Sequence, residues 1–195
     1  GTGLSGGAMP HALGVTLSLA KFNQILKVDA YSRTAVVQCG VRNLAISEAV
    51  AAHGLYYAPD PSSQIACTIG GNVAENSGGV HCLKYGLTVH NLLKVDILTV
   101  EGERMTLGSD ALDSPGFDLL ALFTGSEGML GIVTEVTVKL LPKPQVAKVL
   151  LAAFDLPWAP LFLAAVYIFH PLLGIVATIG GAILVVSTLA NRSLT

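Results

Sequence analysis

The sequence has few charged side chains, and it distributes them unevenly. Lys, Arg, Asp and Glu make up 12% of the 195 residues, and the formal net charge is −2. Soluble domains typically have a charged fraction of roughly 25%. A nucleic-acid-binding surface needs clustered basic side chains, so we expect no nucleic-acid partner. The 36 positions from Leu156 to Asn191 contain no charged residue.

Cysteine is also scarce. Cys39, Cys67 and Cys82 form no Cys-x-x-Cys pair and leave one thiol over in any pairing. This pattern predicts neither a disulfide framework nor a zinc knuckle and favours a reducing compartment. The five histidines show no spacing typical of a metal triad, so no metal site is predicted. The chain opens on GTG without Met and without a basic or apolar leader, so we expect that upstream residues are missing and that no signal peptide is present.

The first 154 residues alternate short β-rich runs with brief helical patterns, which indicates an α+β domain. A change in composition places the domain boundary at Phe154–Asp155, giving units 1–154 and 155–195. The patterns predict strands at 15–19 and 34–38, a helix from Asn43 as N-cap to Gly54 as C′ glycine, a hairpin of 95–100 and 104–107, and a last strand over 131–141 stopped by Pro142 and Pro144.

Residues 156–190 form an uncharged apolar tail. As one helix, residues 158–190 would be roughly 50 Å long, against about 30 Å of bilayer hydrocarbon. Proline interrupts a helix interior, so His170-Pro171 predicts two arms, Trp158–Phe169 and Leu172–Ala190. Lysines precede the tail and Arg192 follows it, which favours a transmembrane hairpin with both ends cytoplasmic. Two buried core helices are the alternative.

Most glycines before residue 132 fall in three clusters, at 1–7, 69–79 and 125–131, each of which includes hydroxyl or amide side chains. Glycine lets backbone N–H groups converge on an anion, and Thr2, Ser5, Asn72, Asn76 and Ser77 could donate further hydrogen bonds to phosphate. Turns without a ligand are the alternative. The first cluster matches neither a P-loop nor a Rossmann fingerprint, so neither site is predicted.

Three longer segments contain these clusters: GTGLSGGA, YAPDPSSQIACTIGGNVAENSGGVHCLKYG and LFTGSEGMLGIVTEVTVKLLPKP. Together they resemble the PCMH-type, or vanillyl-alcohol oxidase-type, FAD-binding domain of the glycolate oxidase FAD-linked subunit and D-lactate dehydrogenase family. The resemblance runs from Gly1 to about Phe154. It implies a PCMH-type FAD-binding domain, incomplete at its N-terminus. It also implies that the cap domain, which has most of the substrate-binding and catalytic groups in relatives, is absent.

The resemblance implies an FAD site, with the first loop around the pyrophosphate and the other segments along the flavin, ribityl chain and adenosine. The implied cofactor-binding residues are Gly1, Thr2, Gly3, Leu4, Ser5, Gly6, Gly7, Pro59, Asp60, Ser63, Ile69, Gly70, Gly71, Asn72, Ala74, Ser77, Gly78, Gly79, Ile132 and Val133. His81, Cys82 and Tyr85 could approach the flavin, although a lone histidine in such a loop is typically structural. For Glu127, a hydrogen bond within its own turn is favoured over a general-base role. No catalytic residue is assigned.

The resemblance implies an oxidoreductase that transfers a hydride from a small 2-hydroxy acid, such as glycolate or D-lactate, to flavin N5. Without the cap domain, we expect cofactor binding from this chain alone and no turnover. The tail segment DLPWAPLFL resembles part of the transmembrane domain of bacterial type I secretion ABC exporters. The alternative function is therefore a membrane fragment of such an exporter with an inert N-terminal passenger.

The tail also predicts association with the bacterial inner membrane, with the FAD domain facing the cytoplasm. Because the two segments resemble different proteins, the junction near Asp155 is consistent with a recombination, a gene-prediction join or an assembly join.

Overall fold

A computed structural model describes residues 1–111, 116–144 and 158–192. The chain divides into two units, Gly1–Pro144 and Gln145–Thr195. The boundary predicted at Phe154–Asp155 lies outside the described residues and stays a prediction.

Among the described residues, the first unit contains a five-stranded antiparallel sheet and a separate two-stranded one. The strands are β1 (Ile25–Asp29), β2 (Thr34–Gln38), β3 (Leu55–Tyr56), β4 (Leu92–Leu98), β5 (Arg104–Gly108), β6 (Ile132–Lys139) and β7 (Leu141–Pro142). The large sheet has the order β1-β2-β6-β4-β5, and β3 pairs with β7. Gly102, at φ +81°, makes the tight turn between β4 and β5, which confirms the predicted hairpin.

Helices α1 (Asn43–Val50) and α2 (Ile69–Glu75) pack against the large sheet. The first unit also contains the short helices α3 (Cys82–Tyr85), which has no buried residue, and α4 (Leu119–Phe123). Ile46 of α1 and Ile69 and Val73 of α2 are fully buried with Val95 and Val136 of the sheet. The alternation of apolar residues along β4 and β6 turns Val95 and Ile97 of β4 and Val136 and Val138 of β6 into this core. The predicted α+β class is confirmed.

Residues 15–19 are not a strand. Val15 is 97% exposed and Leu17 62% exposed, and within the described part of the chain this segment has no ladder partner. Apolar alternation predicted a strand here, but a strand also needs a neighbour for its N–H and C=O groups. Strand β1 was not predicted, because its residues ILKVD put a lysine and an aspartate among the apolar side chains.

Three further expectations concern the ends of elements. Arg42 is the N-cap of α1, whereas Asn43 is its first helical residue and is buried. Gly54 has the left-handed φ of +67° expected of a C′ glycine and ends the 3-10 helix Ala51–His53 that directly follows α1, so that prediction is confirmed. Pro142 does not stop the last strand, because it pairs with Leu55 in the small sheet after β6 has ended at Lys139.

Asn43 joins three segments that lie near one another only in the folded chain. Its side-chain amide donates to the carbonyl of Pro59 at 2.9 Å, and its side-chain oxygen accepts from the amide of Asn72 at 2.8 Å. Asn43 and Asn72 are 1% and 2% exposed. Buried polar groups are costly unless they are paired, so this pair of hydrogen bonds fixes α1, α2 and the Pro59 segment relative to one another.

The second unit is a helical hairpin in its described part. Its helices are α5 (Ala159–Phe169) and α6 (Pro171–Arg192), which confirms the predicted break at His170-Pro171. The Tyr167 ring packs on Gly174, where an added Cβ would lie 2.6 Å from the ring. The Tyr167 hydroxyl and the Thr178 hydroxyl are 2.9 Å apart.

The predicted membrane crossing is not supported. Among the described residues, no helix combines the length and apolar character that a bilayer span requires. The 11 residues of α5 extend about 16 Å, against about 30 Å of hydrocarbon.

We expect Asn43→Ala to lower the free energy of unfolding by about 2–3 kcal/mol, because it leaves the Asn72 amide and the Pro59 carbonyl buried without their partner. Urea denaturation followed by circular dichroism measures this change. Asn23→Ala removes the same side chain from an exposed position and should change stability by less than about 0.5 kcal/mol. Equal losses in the two variants would contradict the role assigned to the buried pair.

Candidate functional site

A cleft of about 830 Å³ lies in the first unit. Its walls come from the N-terminal segment 1–19, from Cys39, from residues 63–77 around α2, and from residues 123–133. The volume falls within the range of about 300–1,000 Å³ that is typical of sites for small molecules and cofactors. The three glycine clusters of the sequence therefore contribute to one concave surface.

The glycine-rich loop, residues 1–7, forms one side of the cleft. Gly6 has φ +85°, and its carbonyl accepts from the N–H of Met9 at 2.9 Å, which turns the chain back on itself. Two side-chain hydrogen bonds join this loop to other described parts of the chain. The Ser5 hydroxyl donates to Glu75 Oε1 at 2.8 Å, and the Thr2 hydroxyl donates to the Ser63 hydroxyl at 3.4 Å.

Helix α2 forms the floor of the cleft and lies against the end of β2. The N–H of Gly70 donates to the carbonyl of Cys39 at 2.8 Å, and an added Cβ at Gly70 would lie only 2.7 Å from the Cys39 Cβ. Glycine is thus required at position 70 by packing. Gly71 faces the cleft, where an added Cβ would meet only the Thr68 hydroxyl at 3.4 Å. Two adjacent glycines therefore have different roles.

The third glycine cluster closes the far end of α2. The N–H of Gly125 donates to the carbonyl of Val73 at 2.8 Å, and the N–H of Glu127 donates to the carbonyl of Ala74 at 2.9 Å. The last carbonyls of a helix have no partner within the helix, so this turn satisfies them. Glu127 has a left-handed φ of +53°. Its backbone hydrogen bond to α2 differs from the hydrogen bond within its own turn that was expected.

The cleft includes fourteen of the twenty residues implied to bind cofactor. They are Gly1, Thr2, Gly3, Leu4, Ser5, Gly7, Ser63, Gly70, Gly71, Asn72, Ala74, Ser77, Ile132 and Val133. Segments separated by more than a hundred positions in the sequence thus meet in one place, as the resemblance implied. The side chains of Asn72 and Asn76 are less available to hydrogen-bond phosphate than expected, because each already has a partner. The Asn72 amide donates to Asn43, and the Asn76 side-chain oxygen accepts from Val89 N–H at 3.1 Å.

Six implied residues do not line the cleft: Gly6, Pro59, Asp60, Ile69, Gly78 and Gly79. Most of them have another structural task. Ile69 belongs to the core, and the carbonyl of Pro59 is bound by Asn43. Gly79 lies so close to Asp60 that an added Cβ would overlap it, and an added Cβ at Gly78 would lie 2.6 Å from Leu87.

Asp60 forms an ion pair with His81, with 2.6 Å between Oδ2 and Nδ1. Tyr85 lies beside this pair and contacts Tyr56 edge to face. Burial raises the pKa of Tyr56, whereas the hydrogen bond from Tyr56 lowers that of Tyr85. His81, Cys82 and Tyr85 are absent from the cleft lining. In the described part of the chain, no three or more His, Cys, Asp or Glu side chains are grouped as metal ligands.

Several cleft residues carried no signal in the sequence. Cys39 lies outside the glycine clusters. Glu75 lies within the second cluster, where no role was predicted for it. Leu17 and Leu19 belong to the segment predicted as a strand. Burial raises the pKa of the Cys39 thiol. The place of these residues in the cleft wall is apparent only when segments that are distant in the sequence meet in the folded chain.

The charges around the cleft are acidic. Its described lining contains Glu75 and Glu127, and His11 has the one side chain there that can become cationic. Neither Lys nor Arg is among the described lining residues. An anionic ligand here would have to be held by backbone N–H groups, as in anion-binding nests, and by hydroxyl groups.

Comparison with known proteins supports a cofactor site. The family described as FAD binding domain matches residues 1–108. The chain is 76% identical over 155 residues to the glycolate oxidase subunit GlcD of Escherichia coli, covering 80% of this chain and 31% of that protein. It is 39% identical over 155 residues to D-lactate dehydrogenase of Archaeoglobus fulgidus, covering 79% of this chain and 34% of that protein.

A solved structure of alkyldihydroxyacetonephosphate synthase is similar at a TM-score of 0.56 and 30% identity, over 65% of this chain and 22% of that one. The chain spans about a third of the length of the curated relatives named above. Because the family match covers more than half of the chain and includes two of the three glycine clusters, the chain belongs to the FAD-binding domain family, and its cofactor is FAD.

Proposed function

We propose that this chain is the FAD-binding portion of a flavin-dependent oxidoreductase that acts on small 2-hydroxy acids, such as glycolate or D-lactate. The observation that carries the proposal is the cleft itself, to which all three glycine clusters contribute. The identity to a glycolate oxidase subunit extends over 155 residues. The match covers only 31% of that relative, so we assign cofactor binding to this chain and turnover to the longer protein.

The residues of the cleft fit FAD. At Gly7 an added Cβ would have no neighbour within 4 Å, and at Gly71 it would have only the Thr68 hydroxyl. Bare backbone is therefore presented to the cavity, as close approach to a diphosphate requires. The hydroxyl of Ser77 adds a donor, while Ile132 and Val133 add an apolar wall.

When bound, FAD supplies the acceptor for the hydride that leaves the substrate carbon. The chain's own contribution is to bind and orient. The glycine-rich loop would hold the diphosphate through its backbone N–H groups, α2 would support the cofactor through Gly71, and the residues after Gly131 would shield one side from water. We assign no described residue to take the proton of the substrate hydroxyl.

The hypothesis that residues 155–195 are a fragment of an ABC exporter stays a prediction, because the family match lies within residues 1–108 and does not reach the tail. Association with the inner membrane likewise stays a prediction.

We expect the purified chain to take up FAD and to show bound-flavin absorbance. Gly71→Leu should weaken FAD binding by at least about tenfold, because the new side chain would occupy the cavity. Quenching of flavin fluorescence on titration measures the dissociation constant. Gly180→Leu is the matched control, since Gly180 is also helical with no neighbour within 4 Å and lies in the other unit.

Two outcomes would contradict the proposal. One is a well-folded chain that remains colourless when FAD is added. The other is a pair of leucine variants that bind FAD equally well. Circular dichroism of both variants shows whether either substitution has disturbed the fold.

We also expect salt not to weaken FAD binding. Raising the ionic strength from about 0.01 M to about 0.15 M shortens the screening length from about 30 Å to about 8 Å. A site held by Lys or Arg would lose affinity for a diphosphate under this change. The cleft has two glutamates and no described Lys or Arg in its lining, so the dissociation constant should stay constant or fall. A tenfold increase would show that cationic groups dominate.

A further inference from the structure

We propose that Glu75 is a positioning residue that holds the glycine-rich loop in the shape that binds cofactor, by accepting a hydrogen bond from Ser5. This inference rests on the proposed role of the cleft as the FAD site. The Ser5 hydroxyl lies 2.8 Å from Glu75 Oε1, although the two residues are 70 positions apart in the sequence. The contact therefore ties the loop directly to the last residue of α2.

The two partners differ in how firmly the fold holds them. Every residue of the loop is exposed. Helix α2, by contrast, has Asn72 and Val73 buried in its second half, and the turn that contains Gly125 binds its last carbonyls. Glu75 is thus a fixed point to which a weakly supported loop is attached. The other side-chain bond from the loop to the rest of the described chain, Thr2 to Ser63, is longer at 3.4 Å.

The contact between Ser5 and Glu75 has two opposite effects on cofactor binding. A serine hydroxyl has a single proton, and in this contact it is directed to Glu75 Oε1. The diphosphate donors of the loop would then be its backbone N–H groups, whose positions depend on the loop conformation. At the same time, the negative charge of Glu75 near the loop would repel a diphosphate. The hydrogen bond therefore favours cofactor binding, whereas the charge opposes it.

Substitution by glutamine separates these effects, because Glu75→Gln keeps an oxygen that accepts from Ser5 and removes the charge. Ser5→Ala and Glu75→Ala each remove the hydrogen bond. We expect Ser5→Ala, which removes only the hydrogen bond, to weaken FAD binding by about fivefold, as for one solvent-accessible hydrogen bond. Glu75→Ala also removes the opposing charge and should weaken FAD binding by less. The double variant should be no weaker than either single variant, because both remove the same contact. Glu75→Gln should bind FAD at least as tightly as the unmodified chain.

A second readout needs no FAD. Hydrogen exchange of the backbone amides of residues 2–9, measured on the cofactor-free chain, should speed up in Ser5→Ala and Glu75→Ala and not in Glu75→Gln. Glu101→Ala removes an equal charge from an exposed turn outside the cleft and should change neither readout. Circular dichroism confirms that each variant is folded.

The proposal is overturned if Ser5→Ala binds FAD as tightly as the unmodified chain, if the double variant binds FAD more weakly than Ser5→Ala, or if Glu75→Gln binds as weakly as Glu75→Ala. Unchanged amide exchange in the alanine variants would overturn it as well. If the unmodified chain binds no FAD, the proposed function fails, and the exchange experiment still decides whether Glu75 holds the loop.

Discussion

The backbone of α2 lies against the end of β2 at Gly70, and the position of the cleft depends on this contact. A side chain at position 70 would force the helix away from Cys39 and move every residue that follows in α2. The same helix is fixed from a second direction by the hydrogen bond from Asn72 to Asn43. Because Cys39, Asn43 and Asn72 are buried, the helix presents Gly71 and Glu75 to the cleft from a constant position.

The three glycine clusters look alike in the sequence, yet they have different structural roles. In the first, the absence of side chains leaves backbone N–H groups open to a ligand. In the second, Gly70 and Gly79 permit close packing against Cys39 and Asp60, whereas Gly71 stays open. The third satisfies the terminal carbonyls of α2. One residue type therefore supplies the surface of the site, the packing beneath it and the cap of its central helix.

The electrostatics of the cleft follow from the scarcity of charge noted at the start. Binding of an anionic cofactor is commonly assisted by Lys or Arg, but the described lining contains neither. The donors that remain are fixed by backbone geometry, so affinity depends on loop conformation more than on net charge. A contact such as that between Ser5 and Glu75 can therefore matter for binding through the conformation of the loop.

The sequence by itself determined the features that arise from local patterns. These include strand β2, the β4–β5 hairpin, the left-handed Gly54, the break at His170 and the segments that form the cleft. Only the tertiary structure showed that residues 15–19 have no strand partner in the described part of the chain, that Asn43 is buried, and that Glu75 meets Ser5. Periodicity and turn chemistry act over a few residues, whereas these outcomes depend on groups that are distant along the chain and are brought together by the burial of the core.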